Sequence, residues 1–307
     1  MPLKKGNYKF SKTSILDIMK NLEDKRNKKI AILSGKGGAG KTLLAVNLAA
    51  VAENAYYCDC DVEEPNGHLF FKPEWELEED VFVKIPVVDQ SICDGCRKCV
   101  EFCRFNALAY VNGSLKIFED ICHSCGGCLL VCPLKALTEK DKQVGKVFVG
   151  NSEGVRVVSG MVNVGQASGS TIIKEVLYQS KDSTNTPTFI DCPPGSACNV
   201  MESISNADFC LMVLEPTIFG RHNFEMVYEL VQLFNKPSAV IINKSVGGYN
   251  PLEDLGDKKG LKILGKIPYD TELSKLSSNA EIAVRENPKY KQFFSSLLEK
   301  IYREASI

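Results

Sequence analysis

The chain has 307 residues, 44% of them hydrophobic, which is enough to bury one large core or two modest ones without disulfide staples. Its 37 Lys and Arg stand against 38 Asp and Glu, a formal net charge of -1, and the basic residues are scattered; the charge excludes a duplex nucleic-acid footprint and a polybasic membrane patch. No apolar run of about 18 residues occurs, and residues 1–29 carry no apolar stretch followed by a small-residue cleavage site, so a cytoplasmic protein with no membrane partner is expected.

Residues 1–28 read as a polar leader with one amphipathic helix, Ser14 to Lys25, where Ile15, Ile18, Met19 and Leu22 recur at helical spacing. A short apolar strand follows, Ile30 to Leu33, then a glycine-rich stretch, Ser34 to Gly40, and a helix rich in Ala and Leu from Lys41 to about Ala52. A second strand, Ala55 to Cys60, ends in acidic residues. The acidic stretch Glu74 to Asp80 reads as a solvated linker.

From Val87 to Thr138 the pattern changes to two cysteine-rich half-motifs around a hairpin, Leu108 to Ile117, with Asn112 and Gly113 at its turn. Alternating strands and helices then resume, with strands at Lys146 to Val149, Gly154 to Val158, Thr188 to Asp191, Phe209 to Leu214, Ala239 to Ile242 and Ile263 to Ile267. Several are continuously apolar, the habit of parallel strands covered on both faces. The expected architecture is an α/β unit, a mostly parallel sheet with helices on both faces, formed by 29–86 and 139–307 and interrupted by an insert at 87–138.

The stretch Gly35, Lys36, Gly37, Gly38, Ala39, Gly40, Lys41, Thr42 fits G-x-x-x-x-G-K-[ST] in the strand-loop-helix setting that a phosphate cradle needs. Backbone N–H groups of the loop and the helix N-terminus would face phosphate oxygens, Lys41 would neutralise the β- and γ-phosphates, and Thr42 would hold Mg2+.

The additional lysine at 36 makes the loop resemble the deviant Walker A ATPases, the family of MinD, ParA, the nitrogenase iron protein and the Mrp-type iron-sulfur scaffold ATPases. The resemblance implies that Lys36 reaches a partner's nucleotide across an ATP-dependent homodimer. Asp59, Cys60 and Asp61 resemble the family's switch I, which implies that Asp61 positions or activates the attacking water while Asp59 helps at the metal. Asp191, Cys192, Pro193, Pro194 and Gly195 resemble its Walker B and switch II segment, with Asp191 holding Mg2+ through water. Asn243 and Lys244 resemble its adenine-reading segment, and Pro268, Tyr269 and Asp270 the loop that covers the base.

The 13 cysteines point to metal ligands before disulfides. Cys93, Cys96, Cys99, Cys103 and then Cys122, Cys125, Cys128, Cys132 with Pro133 repeat the run of bacterial two-cluster ferredoxins, which exceeds the four ligands of a zinc site. That resemblance implies an α+β ferredoxin-like module with two 4Fe-4S clusters, one on Cys93, Cys96, Cys99 and Cys132, the other on Cys122, Cys125, Cys128 and Cys103. Arg104 stands where the second half has Pro133.

Cys58, Cys60, Cys192, Cys198 and Cys210 read mostly as core residues, and His68, His123 and His222 as structural or surface ones. The C-terminal Tyr290 to Ile301 stretch reads as a helix packed on the sheet rather than a membrane-targeting one. Together these features resemble MinD-superfamily ATPases with an inserted ferredoxin domain. The implied cofactors are ATP, Mg2+ and two 4Fe-4S clusters, and the expected activity is ATP hydrolysis coupled to electron transfer or to the contacts of a redox or client protein. Two other readings are a cluster-delivery ATPase and a redox-sensing positioning ATPase.

Overall fold

The computed structural model describes residues 28–166, 169–181, 186–246 and 260–306; the helix expected at Ser14 to Lys25 lies outside them. The chain begins with β1 (Lys29–Leu33), α1 (Lys41–Val51), β2 (Ala55–Asp59), α2 (Gly67–Phe71) and the long β3 (Glu74–Val88). The cysteine-rich segment supplies α3 (Lys98–Phe102), β4 (Leu108–Val111), β5 (Ser114–Ile117) and α4 (Gly127–Leu130). Next come β6 (Leu137–Ser152), β7 (Val155–Val162), α5 (Ser170–Tyr178), β8 (Thr188–Asp191), α6 (Cys198–Ser205), β9 (Phe209–Leu214) and α7 (Ile218–Leu233). The chain finishes with β10 (Ser238–Ser245), β11 (Ile263–Pro268), α8 (Thr271–Ser278), α9 (Ala283–Glu286) and α10 (Pro288–Glu304).

One nine-stranded sheet runs in the order β11-β10-β9-β1-β8-β2-β7-β6-β3. Every pairing from β11 to β7 is parallel, and β6 and β3 close one edge antiparallel. Alternate residues of the parallel strands enter two cores. Ile30, Ile32, Tyr57, Val157, Phe189 and Leu211 face α1 and the C-terminal helices. Ala31, Leu33, Cys58, Val158, Ile190 and Met212 face α5, α6 and α7. A strand buried on both sides has no polar face to show, which is why these segments read as unbroken apolar runs.

The C-terminal helix follows its caps. Asn287 accepts from the Lys289 N–H at 2.9 Å, Pro288 takes the first turn, and Tyr290, Phe294, Leu297, Leu298 and Ile301 are buried in the first core. Its apolar face is therefore covered by the protein.

The stretch Glu74 to Asp80, expected as a solvated linker, is the first half of β3 and pairs with Lys146 to Asn151 of β6. Its carboxylates meet cations: Glu78 pairs with Lys146 and Glu76 with Arg156. Charged side chains on an edge strand discourage pairing with another chain.

Beyond the sheet the same two strands continue as a two-stranded arm, Val81 to Val88 against Leu137 to Gly145, and run unbroken across 86–87 and 138–139. The cysteine-rich segment sits at its far end, where Val88 and Leu137 join a small core with Leu108, Leu115, Cys99 and Cys128. The β4-β5 hairpin turns through Asn112 at φ 52 and Gly113 at φ 75, the two left-handed residues of a type I′ turn.

Candidate functional site

The glycine-rich loop joins the end of β1 to α1 at the centre of the sheet. Ser34 Oγ donates to the Lys36 carbonyl at 2.8 Å, and Gly40 takes φ 99 at the helix N-cap. No side chain caps α1, so its first N–H groups are left for an anion. Gly40 can only be glycine for two reasons. Its backbone is left-handed, and an added Cβ would lie 2.1 Å from Asn243 Nδ2.

Three aspartates stand at the ends of neighbouring strands, and β2 and β8 pair so that Asp59 lies opposite Asp191. Asp59 is fully buried with both oxygens engaged: Oδ1 accepts from the Asp61 N–H at 3.2 Å, and Oδ2 from the N–H groups of Asn66 at 3.2 Å and Gly67 at 2.9 Å. It braces the loop between β2 and α2. Burial, then the Asp191 charge, pushes its carboxyl well above the ordinary range.

Asp191 is equally buried, and only Oδ2 has a hydrogen bond, from the Tyr57 hydroxyl at 3.0 Å; Oδ1 has none. Burial raises its carboxyl, and the Lys41 ammonium with the hydroxyls of Thr42 and Tyr57 draws it down. Asp61 is half-buried and pushed up to about 6, by burial first, with Lys41 opposing.

A cavity of about 590 Å3 opens over the loop. Gly37, Gly38, Gly40, Lys41, Thr42, Asp61, Asn243, Lys244 and Pro268 line it, together with Tyr269 and Asp270. Gly35, Lys36, Ala39, Asp59 and Asp191 do not line it. Asn243 is tied within the chain: Nδ2 donates to the Ala39 carbonyl at 2.8 Å and Oδ1 accepts from the Lys244 N–H at 2.9 Å. Lys244 Nζ donates to the Gly38 carbonyl at 2.9 Å.

Lys36 ion-pairs with Glu215, which also faces Lys244 at 3.6 Å. The sequence reading missed Glu215, Tyr57 and the far wall of the cavity, where Phe70, Ser274, Ser277 and Ser278 stand. Phe70 follows Asn66 and Gly67, a turn signal that marks the loop but not its destination.

The two cysteine half-motifs fold alike. Gly95 and Ser124, Arg97 and Gly126, and Asn106 and Lys135 occupy equivalent steps, and all six are left-handed. Cys93, Cys96, Cys99 and Cys132 line one small pocket with the apolar Val88, Leu115 and Leu137. In the second half, burial pushes the Cys128 thiol up to about 11, and the neighbouring Cys122 and Cys125 add to it. Cys103 packs into the same small core, its Sγ 3.4 Å from the Ala107 N–H.

Among the described residues no three His, Cys, Asp or Glu side chains are grouped to hold one metal ion. His123, read from the sequence as a structural or surface residue, stacks on Phe105 with ring centroids 3.8 Å apart, which ties the two halves together. Of the other cysteines, Cys58, Cys60, Cys192 and Cys210 are buried and Cys198 is exposed.

Residues 30–284 match the family described as the CobQ/CobB/MinD/ParA nucleotide binding domain. An uncharacterized protein of Methanocaldococcus jannaschii is 30% identical over 277 residues, 89% of this chain and 96% of its own length. An iron-sulfur cluster carrier protein of Pyrococcus abyssi is 23% identical over 279 residues, 84% of this chain and 80% of its own, and a ferredoxin of Pyrobaculum islandicum is 37% identical over 54 residues, 17% of this chain and 50% of its own. Among solved structures, the septum site-determining protein MinD of Pyrococcus horikoshii with Mg-ADP superposes with a TM-score of 0.57 at 17% identity, covering 89% of this chain and 95% of that one.

Proposed function

The chain belongs to the CobQ/CobB/MinD/ParA nucleotide-binding family, and on that premise we propose that it hydrolyses ATP with Mg2+ and couples its nucleotide state to two 4Fe-4S clusters in the cysteine-rich segment. The observation that carries the coupling is the path of the chain. Asp61, Asn66 and Phe70 line the cavity, and the next residue, Phe71, accepts from Ser152 Oγ through its carbonyl. Three residues later Glu74 starts β3, while Ser152 ends β6. The cavity wall is thus clasped to both strands of the arm that bears the cysteines, and a loop that moves with the γ-phosphate pulls on that arm.

The residues fit the implied groups. The orphaned Asp191 Oδ1 and the Thr42 hydroxyl are hard oxygen donors beside the phosphate loop, suited to Mg2+ and its waters. Four thiols around one apolar pocket, from the positions that the ferredoxin run implies, suit a cubane; Cys93, Cys96, Cys99 and Cys132 would hold one and Cys122, Cys125, Cys128 and Cys103 the other. The clusters would supply one-electron chemistry. The chain's own residues supply the rest: Lys41 and the loop N–H groups hold the phosphates, and Asp61 takes the proton of the attacking water. Asn243, Lys244 and Pro268 wall the base end.

In this reading Lys36 crosses to a second copy of the chain in an ATP-dependent homodimer, and must first leave Glu215. The test is an anaerobic redox titration followed by EPR, with and without MgATP, and with Lys41→Ala as control. Two 4Fe-4S signals whose potentials or mutual coupling shift with MgATP in the wild type alone support coupling. Signals indifferent to nucleotide overturn it. The likeness to an iron-sulfur cluster carrier and the exposure of Cys96 and Cys125 favour a second reading, delivery of clusters to a client protein. In that case the clusters leave readily to a chelator.

A further inference from the structure

Tyr57 has no part in the sequence motifs, yet it touches both Asp191 and Gly67, at the end of the loop that Asp59 braces. It sits in the middle of β2, fully buried, with Phe189 of β8 as its neighbour in register. Because side chains two apart on a strand share a face, Tyr57 and Asp59 on β2 point the same way as Phe189 and Asp191 on β8. The phenol therefore ends beside the carboxylates. Its hydroxyl lies 3.0 Å from Asp191 Oδ2, and a phenol, protonated at neutral pH, is the donor.

The other side of the hydroxyl is closed by Gly67, the first residue of α2. A Cβ added at Gly67 would fall 2.2 Å from the Tyr57 oxygen, so the loop approaches the phenol as closely as only a glycine allows. The same glycine gives its N–H to Asp59 at 2.9 Å. The ring is held from rotating by Phe71, 4.9 Å away between centroids.

A buried carboxylate oxygen left without a partner is costly, and it survives where something else is meant to take it. Asp191 has one such oxygen, Oδ1, while Oδ2 is fixed by the phenol. We propose that Tyr57 is a positioning residue: its hydroxyl pins Oδ2 of Asp191 so that Oδ1 is presented to the hydrated Mg2+ of the nucleotide site, and its contact with Gly67 ties that orientation to the loop that carries Asp61. Without the phenol the carboxylate is free to turn about its Cβ–Cγ bond, and neither oxygen is held toward the metal. Outer partners of metal ligands commonly matter this much to affinity.

The inference rests on the nucleotide site proposed above, and the experiment separates the two. ADP binding is measured by calorimetry in EDTA and in saturating Mg2+, and Mn2+ binding to the ADP complex by EPR, for the wild type, Tyr57→Phe and Gly67→Ala, with a thermal melt of each. The expected result for Tyr57→Phe is unchanged ADP affinity in EDTA and Mn2+ binding weaker by about tenfold. Gly67→Ala, which drives a methyl into the phenol, gives the same metal-specific loss by a separate route and serves if Tyr57→Phe does not fold.

A purely structural role would instead lower the melting temperature and weaken ADP with and without metal in parallel, which overturns the proposal. Mn2+ binding equal to wild type in a folded variant also overturns it. Failure of the wild type itself to bind ADP would refute the nucleotide site rather than the role of Tyr57.

Discussion

The two ends of this molecule are held in different ways. At the nucleotide cavity the polar groups are fixed by the parallel sheet: Asp59 and Asp191 are fully buried at the ends of paired strands, and backbone N–H groups occupy both oxygens of Asp59. At the far end of the β3-β6 arm the buried part of the core is six residues, two of them cysteines proposed as cluster ligands. The first region is preorganised by a large core; the second has so little apolar area that the proposed clusters would complete its stability.

The sharpest way to break that contrast is to take the clusters away. Loaded protein is expected to hold about eight irons, and Cys99→Ser about four, with ADP binding unchanged in both. Chelation of the wild type should raise hydrogen exchange across residues 89–136 while the amides of β1, β8 and β9 stay protected. Protection that survives in 89–136 without iron would show that the small core suffices alone.

Next in size is Asp61. Its carboxyl is raised from the ordinary 3.8 to about 6, so the form able to accept a proton from water is populated only above about pH 6. ATPase kcat/KM should therefore climb through an apparent pKa near 6, and Asp61→Asn should lower kcat about 100-fold or more. Stability moves the other way. A carboxylate whose folded pKa lies above its unfolded one favours the fold at low pH, and this contribution fades as pH rises from about 4 to about 6. A flat profile between pH 5 and 7 would remove Asp61 from the proton step.

Gly40→Ala comes third. Alanine resists φ 99, and its methyl would meet Asn243 Nδ2, which holds the Ala39 carbonyl. ADP affinity is expected to fall about tenfold, and the double variant with Asn243→Ala should recover little, since the backbone conformation is still wrong. Full recovery would mean that crowding against Asn243 is the whole effect.

How much of this was legible in the sequence follows from where the partners lie along the chain. The phosphate loop and both cysteine runs are local, each written in a few adjacent residues, so their spacing alone could be matched to a phosphate cradle and a ferredoxin run. The parallel strands were plain because burial on both faces leaves them uniformly apolar. Tyr57 and Glu215 were invisible because their partners, Asp191 and Lys36, are far away in sequence and meet only in the fold. The edge strand is a different kind of miss. Trp75 and Leu77 alternate with Glu74, Glu76 and Glu78, a period-two pattern that signals a strand, but the density of charge disguised it as a solvated run.

Glu215 gives the smallest effect and bears on how the nucleotide end is kept quiet. Its carboxylate lies below the ordinary range, held there by the hydrogen bond from Lys36 first and by Lys244 as well. Pairs this near the surface are worth about 0.2–1 kcal/mol, so releasing Lys36 should strengthen ATP-dependent self-association only about 1.4- to fivefold. Glu215→Gln tests this by sedimentation with a non-hydrolysable ATP analogue. The gain should shrink as salt rises from low to moderate strength, because salt already weakens the pair in the wild type. Weaker self-association in the variant would mean instead that Glu215 orients Lys36 for its crossing rather than restraining it.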